Sequence, residues 1–375
     1  MAHATIPSPR IQRMASESAG AIPSASSSTK PLRSLHLNEA PFSPAAKVLW
    51  AMQKAAVDLN RYPDHEGRRL CEALSMLNGV GAERIVVGAG SNELLFASAA
   101  VALEPGCEVV APSPSFPTYA TGAALAGASY VGVPLMADGL VDVDAILSSI
   151  TSQTRLVYVS SPHNPTGGML SQERLDHLIR HMPTSVLLHL DEAYYEFGRH
   201  AGGPETLPLL EQCKGPWIST RSFSKAYGLA GARVGYGIAQ DKTLAEVYRG
   251  VRPAYSVNAV ALAGALAALE EKEYLAHLLE HNAYQRARLA AALMPLGFIP
   301  LPSAANFLTV ITPVPAQALA SALRAQNVLI LAMLWPGAPG ALRITIGSAD
   351  DTAAVIEELV AALQSLGVNS PPLGA

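Results

Sequence analysis

The chain has 375 residues, half of them hydrophobic and 15% charged, with a formal net charge of -4 and a pI near 6.2. That length accommodates two domains and a large core. The slightly acidic balance gives no electrostatic case for nucleic acid, and no apolar run is long and charge-free enough to span a bilayer. Cys71, Cys107 and Cys213 are too scattered for a disulfide framework or a metal site, so no metal is expected and a reducing, cytoplasmic setting is.

Residues 1–34 are rich in Ser, Ala and Pro without an apolar core, and are expected to form a disordered tail. From Leu35 to Pro44 the chain reads as an extended arm broken by prolines. Ser43-Pro44 then opens a helix, with Ser as N-cap and Leu49, Met52, Ala56 and Leu59 as its apolar stripe. Asn60-Arg61-Tyr62-Pro63-Asp64 is a turn, and a second helix follows over 67–77. A strand over 85–87 runs into Gly88-Ala89-Gly90-Ser91-Asn92-Glu93 and a helix over 94–103. A strand that feeds a glycine turn and a helix N-terminus aims free N–H groups at one spot, where anions bind.

The alternation continues with a strand over 108–111, the loop carrying Phe116, a helix to about 126 and a strand over 130–133. Next come a helix over 141–150, a strand over 156–160, a helix over 171–181 and strands over 186–190, 217–220 and 234–239. This order predicts an α/β fold, with a mainly parallel seven-stranded sheet between helices. The polar motifs fall at the carboxyl ends of strands, where open sheets bind ligands. Beyond 241 the pattern changes to helices over 242–250, 257–269 and 271–294. Strands over 307–311, 328–331 and 342–346 and helices over 315–325 and 350–366 then read as a smaller α+β unit. The expected division is an arm and helix over 35–59 joined to a small domain over 271–368, a large domain over 60–270, and a short tail over 369–375.

The chemistry concentrates at Ser222-Phe223-Ser224-Lys225, with Arg233 eight places on. A lysine between apolar flanks loses its charge readily and becomes a nucleophile toward carbonyls. Ser222, Ser224 and Arg233 together suit a phosphate. A Schiff-base lysine beside a phosphate cup is what pyridoxal phosphate (PLP) requires; the competing reading is a surface lysine in a Ser/Gly loop.

Taken jointly, Ser161-Pro162-His163-Asn164-Pro165-Thr166-Gly167, Asp191-Glu192-Ala193-Tyr194 and the lysine stretch resemble the aminotransferases of PLP fold type I. Arg61-Tyr62-Pro63-Asp64, Val257-Asn258, Ala305-Asn306-Phe307 and Leu342-Arg343-Ile344-Thr345-Ile346-Gly347 narrow the resemblance to histidinol-phosphate aminotransferases. The resemblance implies that Lys225 holds the cofactor covalently and shuttles the proton, while Asp191 pairs with the pyridine nitrogen. It implies that Asn164 and Tyr194 bond the ring oxygen, Phe116 stacks on the ring, and Ser91, Asn92, Ser222, Ser224 and Arg233 hold the phosphate. Arg343 would clamp the substrate carboxylate, with Asn306 and Asn38 lining the same pocket. Tyr62 would cross a homodimer interface to the neighbour's phosphate. The plainer alternatives are a helix cap for Asp191, a turn residue for Asn164, core aromatics for Phe116 and Tyr194, and surface charges for Arg233 and Arg343.

The implied function is amino-group transfer between an amino acid and a keto acid or ketone. A decarboxylase or lyase resembling the threonine-phosphate decarboxylases is the alternative on the same scaffold, and a non-enzymatic sensing module is the second. One position departs from the pattern. Histidinol-phosphate aminotransferases carry an arginine for the substrate phosphate where this chain has Leu331. Leu331, Met333 and Trp335 are expected to form an apolar wall, with Arg249 or Arg252 as substitute cations.

Overall fold

The apolar runs that alternate with helical segments build one sheet, as their spacing predicts. The computed structural model describes residues 29–368, so the expected tails over 1–28 and 369–375 lie outside it. The chain enters through β1 (Arg33–Ser34). It then lays down β2 (Ile85–Gly88), β3 (Glu108–Ser113), β4 (Ser129–Pro134) and β5 (Thr154–Ser160). β6 (Leu187–Asp191), β7 (Trp217–Ser222) and β8 (Gly235–Ala239) complete the sheet, in the spatial order β2-β8-β7-β6-β5-β3-β4. Neighbours are parallel except around β8, which runs antiparallel to both β2 and β7.

Side chains alternate across this sheet, so each face has its own core. Val110, Val157, Val159, Leu188 and Leu190 face one set of helices, and Val109, Leu156, Tyr158 and Ile218 face the other. A further core gathers around β9 (Ile299–Pro300) and β10 (Phe307–Ile311), followed by β11 (Val328–Leu329), β12 (Leu331–Met333) and β13 (Ala341–Thr345). Four of these form an antiparallel sheet, β12-β13-β10-β9, backed by helices Ala316–Ala325 and Ala349–Ser365. No helix among the described residues is long and apolar enough to cross a membrane.

Three local expectations are corrected. The tail ends before residue 34, because β1 pairs in parallel with β11 and Arg33 and Lys30 form ion pairs with Asp351 and Glu358. The strand expected over 328–331 is two: β11 follows β1, and β12 joins the antiparallel sheet. The first helix begins at Ala46 behind Ala45, with no side-chain cap from Ser43. It packs Val48 and Met52 against helix Ala259–Ala268, which leaves Leu49, Trp50 and Leu59 exposed.

Candidate active site

The carboxyl edge of the large sheet gathers its motifs because β2, β3, β5, β6 and β7 all end there. β8 brings Arg233 to the same edge for the opposite reason: it runs backwards, so its start lies where its neighbours finish. Ser222, Gly235 and Gly88 stand side by side across β7, β8 and β2. A cavity of about 390 Å³ opens at this edge, within the usual range for small-molecule sites. Ser91, Asn92, Phe116, Asn164, Asp191, Tyr194, Ser222, Ser224, Lys225, Arg233, Arg343 and Asn38 all line it.

One end of the cavity is an anion cradle. Gly90 caps the helix Ser91–Ala102 with no side-chain bond; the Glu93 amide donates back to Gly90 O at 3.3 Å, while the Ser91 and Asn92 amides have no acceptor among the described residues. Gly90 adopts a φ of +78°, and a Cβ there would meet Arg233 Nη2 at 2.6 Å. At Gly235 a Cβ would lie 2.4 Å from the Ser91 amide nitrogen. Arg233 donates to Ala230 O at 3.0 Å and leans on Ser224 Oγ at 3.4 Å, while Ser222 Oγ accepts from the Ser224 amide at 3.1 Å.

Lys225 sits at the centre. Its Nζ donates to the carbonyls of Leu37 and Asn38 at 3.0 and 2.9 Å. Burial first, and then the charge of Arg343, push its pKa down to about 8. Asp191, at the end of β6, is buried and accepts from Tyr119 Oη at 2.7 Å and from the Ala193 amide at 3.1 Å. Burial raises its pKa to about 6 against the pull of those two donors. Tyr194 Oη accepts from Asn38 Nδ2 at 2.9 Å.

The opposite wall belongs to β13. Arg343 Nη1 donates to Asn164 Oδ1 and Nη2 to His36 O, both at 2.6 Å, while Nε–H is buried without an acceptor. An unpaired guanidinium donor beside two neutral oxygens suits a carboxylate. Arg343 pairs in register with Leu331 on β12, which places both side chains on one face of the sheet.

Several expected residues lie elsewhere. Asn306 does not line the cavity; it stands behind Asn38, donating to Asn38 O at 3.0 Å. Tyr62 is 81% exposed and stacks on Tyr255 with ring centres 4.5 Å apart, outside the cavity. The expected apolar wall does not line the cavity: Leu331 shares the face of Arg343 without reaching it, Met333 pairs with Ala341, two positions further away, and Trp335 follows in the hairpin loop. Arg249 donates to Glu83 O and Ile85 O, and Arg252 lies beside Ser256; neither lines the cavity.

Sequence reasoning missed Tyr119, three residues after Phe116, and the arm carbonyls. It also overlooked two His-x-x-x-His pairs, His177/His181 and His277/His281. His181 bonds the carbonyl of its own helix, and His277 and His281 pack on Phe42. No group of three His, Cys, Asp or Glu forms a metal cage among the described residues. His163 is buried between Ser160 Oγ at 2.8 Å and Pro114 O at 3.0 Å, where burial depresses its pKa to about 4 and the ring ties two site loops together.

Comparison with known proteins finds relatives along most of the chain. Residues 32–363 match the family described as aminotransferase class I and II. A histidinol-phosphate aminotransferase of Roseobacter denitrificans is 39% identical over 335 residues, covering 88% of this chain and 91% of that protein. Histidinol-phosphate aminotransferase 1 of Nitrosococcus oceani is 36% identical over 87% of this chain and 88% of its own. The crystal structure of the Sinorhizobium meliloti histidinol-phosphate aminotransferase in complex with pyridoxal-5'-phosphate superposes with a TM-score of 0.84 at 30% identity, covering 90% of this chain and 92% of that one.

Proposed function

The chain belongs to the class I and II aminotransferase family, and on that premise we propose a PLP-dependent transaminase of the histidinol-phosphate aminotransferase type with a more apolar substrate pocket. The carrying observation is one lysine amine set beside a buried carboxylate, between an anion cradle and an under-partnered arginine. The donor set fits the cofactor: uncapped amides and Arg233 for the phosphate, Asp191 for a ring nitrogen, and Asn164 and Tyr194 for the ring oxygen. When bound, PLP supplies an electron sink at the amino acid's α-carbon.

The remaining work falls to the chain. Lys225, with its basicity depressed by burial, offers a neutral amine at a larger fraction of molecules than a surface lysine, and its Nζ carries the proton to and from the reacting carbon. Asp191 holds the ring nitrogen's proton. Arg343 orients the donor by its carboxylate, and Asn38 roofs the site through Tyr194 and Lys225. Phe116, half-buried at the rim, offers its ring as a stacking face.

Leu331 does not line the cavity, and what supports the apolar pocket is the lack of a cation at this position in register with Arg343. An arginine there would give a charge-assisted contact to a substrate phosphate worth about 1.5–3 kcal/mol. Its absence favours an aromatic or aliphatic keto acid. Trp50, Val57, Leu59 and Tyr62 are exposed apolar side chains close in sequence that a second copy would cover, with Tyr62 completing the partner cradle. The unpaired cysteines accord with a cytoplasmic setting.

The test is a turnover panel: imidazole-acetol phosphate against phenylpyruvate, each with several amino donors, monitored by the visible band of the bound cofactor. Amine exchange with preference for phenylpyruvate is expected. Strong preference for the phosphorylated ketone sinks the apolar pocket, and carbon dioxide release without exchange sinks transamination. Sedimentation of wild type and Tyr62→Ala tests the dimer.

A further inference from the structure

We infer that Tyr119 is a positioning residue: its hydroxyl holds Asp191 as an oriented anion for the protonated ring nitrogen of the cofactor. The inference rests on the PLP reading above. Asp191 stands at the end of β6, and no lysine or arginine among the described residues is bonded to it. Its hydrogen-bond donors among the described residues are Tyr119 Oη–H on Oδ2 and the Ala193 amide on Oδ1. The amide belongs to the same turn and is fixed by the backbone. Tyr119 comes from the helix Thr118–Ala126, on the far side of the sheet edge, and is the only side chain of the two.

The phenol is built to stay where it is. Tyr119 has no exposed surface, and its ring lies nearly parallel on Tyr158, 7° off with centres 4.5 Å apart. Phe116 meets it edge-on at 6.1 Å. Tyr158 is pinned in turn by its own hydroxyl on Leu95 O at 2.6 Å. Behind it His189, two residues before Asp191 on the same strand, tilts against Tyr158 at 5.2 Å. His189 is held between Ser98 Oγ at 2.6 Å and Thr220 Oγ1 at 2.9 Å. A column of interlocked rings therefore sets the direction of one O–H bond.

The charge states agree with the geometry. Burial and the neighbouring carboxylate drive the ionisation of Tyr119 well above that of a free phenol, so it remains a donor at every working pH. Asp191 is already pushed up to about 6 by burial, with Tyr119 pulling it down, Glu192 raising it and Lys225 lowering it. Without the phenol hydroxyl the carboxyl keeps its proton to higher pH, and a neutral acid holds a ring-nitrogen cation poorly.

Tyr119→Phe keeps the ring and its stack and removes only the donor. Tyr195→Phe is the control, deleting a tyrosine hydroxyl that bonds Glu205 outside the cavity and the ring column. The apoprotein is titrated with PLP by fluorescence from pH 5 to 9, and the pH dependence of the visible band is recorded. Tyr119→Phe should bind PLP about tenfold more weakly at pH 7, in line with loss of one hydrogen bond to a charged group. The acidic limb of its binding curve should move to higher pH, with Tyr195→Phe within about twofold of wild type. Tyr119→His, which restores an N–H donor, should recover part of that shift and also serves if the phenylalanine variant folds poorly. An unmoved acidic limb in Tyr119→Phe, or an equal shift in Tyr195→Phe, overturns the assignment. Failure of the wild type to bind PLP at all would instead overturn the reading beneath it.

Discussion

Gly235→Ala is a small change with a large expected consequence. A Cβ at this position would sit 2.4 Å from Ser91 N, 2.8 Å from Gly90 C and 3.0 Å from Arg221 O, all backbone atoms. Comfortable contacts lie near about 3.5–4.0 Å, so β8 and the glycine turn must part by about 1 Å. No flexible side chain is available to give way. Overpacking of this kind costs about 1–3 kcal/mol of stability. The Ser91 amide moves with the turn, and losing one charge-assisted bond to the phosphate is worth about 1.5–3 kcal/mol, or about 10- to 150-fold in affinity. Fluorescence titration of the apoprotein with PLP measures the affinity, and thermal unfolding measures the stability. Gly250→Ala, where a Cβ meets nothing within 4 Å, is the control and should leave both unchanged. If Gly235→Ala binds PLP within twofold of wild type and melts at the same temperature, the strand-edge cradle is not the phosphate site.

Lys225→Ala should fold normally yet lose the visible band, and in wild type the condensation rate with an added aldehyde should rise through a pKa of about 8, below the ordinary lysine value; a titration near 10 would contradict the buried amine. Arg343→Lys should raise the KM of carboxylate donors by about 10- to 100-fold, since a single ammonium cannot replace the fork; steady-state kinetics with a simple amine lacking the carboxylate should show little change. Glu196 is buried, its pKa is raised to about 7, and its Oε2 has no partner. A carboxyl whose folded pKa is raised contributes stability at low pH that is lost as pH climbs from the unfolded value toward 7. Melting of Glu196→Gln should therefore fall less than that of wild type between pH 5 and pH 8, and parallel curves would contradict the assignment.

Much of this site was legible because its motifs follow strands, and a strand's carboxyl end is visible as an apolar run stopping at Gly, Ser or Asn. Asn164, Asp191 and Lys225 announce themselves that way. Arg233 does not: it precedes its strand, and only the reversed direction of β8, a property of pairing rather than of sequence, brings it into the cradle. The exposed Leu49 looked like core because helical spacing identifies an apolar face without naming what covers it. β1 and β9 are two residues each, too short for any period to show. Tyr119 carried no signal beyond its place near a helix start, since its partner lies 72 positions away. Leu331 was flagged by comparison with a pattern, but its neighbour Arg343 emerged only from strand register.

Asn38 adopts a left-handed φ of +55° and bonds Tyr194, Lys225, Asn306 and Thr345, which follow it by between 156 and 307 positions. During translation this stretch leaves the ribosome well before its last anchor. At about 5–20 residues per second, some 307 positions correspond to a wait of about 15 s to a minute. A nascent chain stopped short of Thr345 can complete the large sheet and present Lys225, yet it leaves that amine open to water. Competence to react thus waits for the emergence of Thr345.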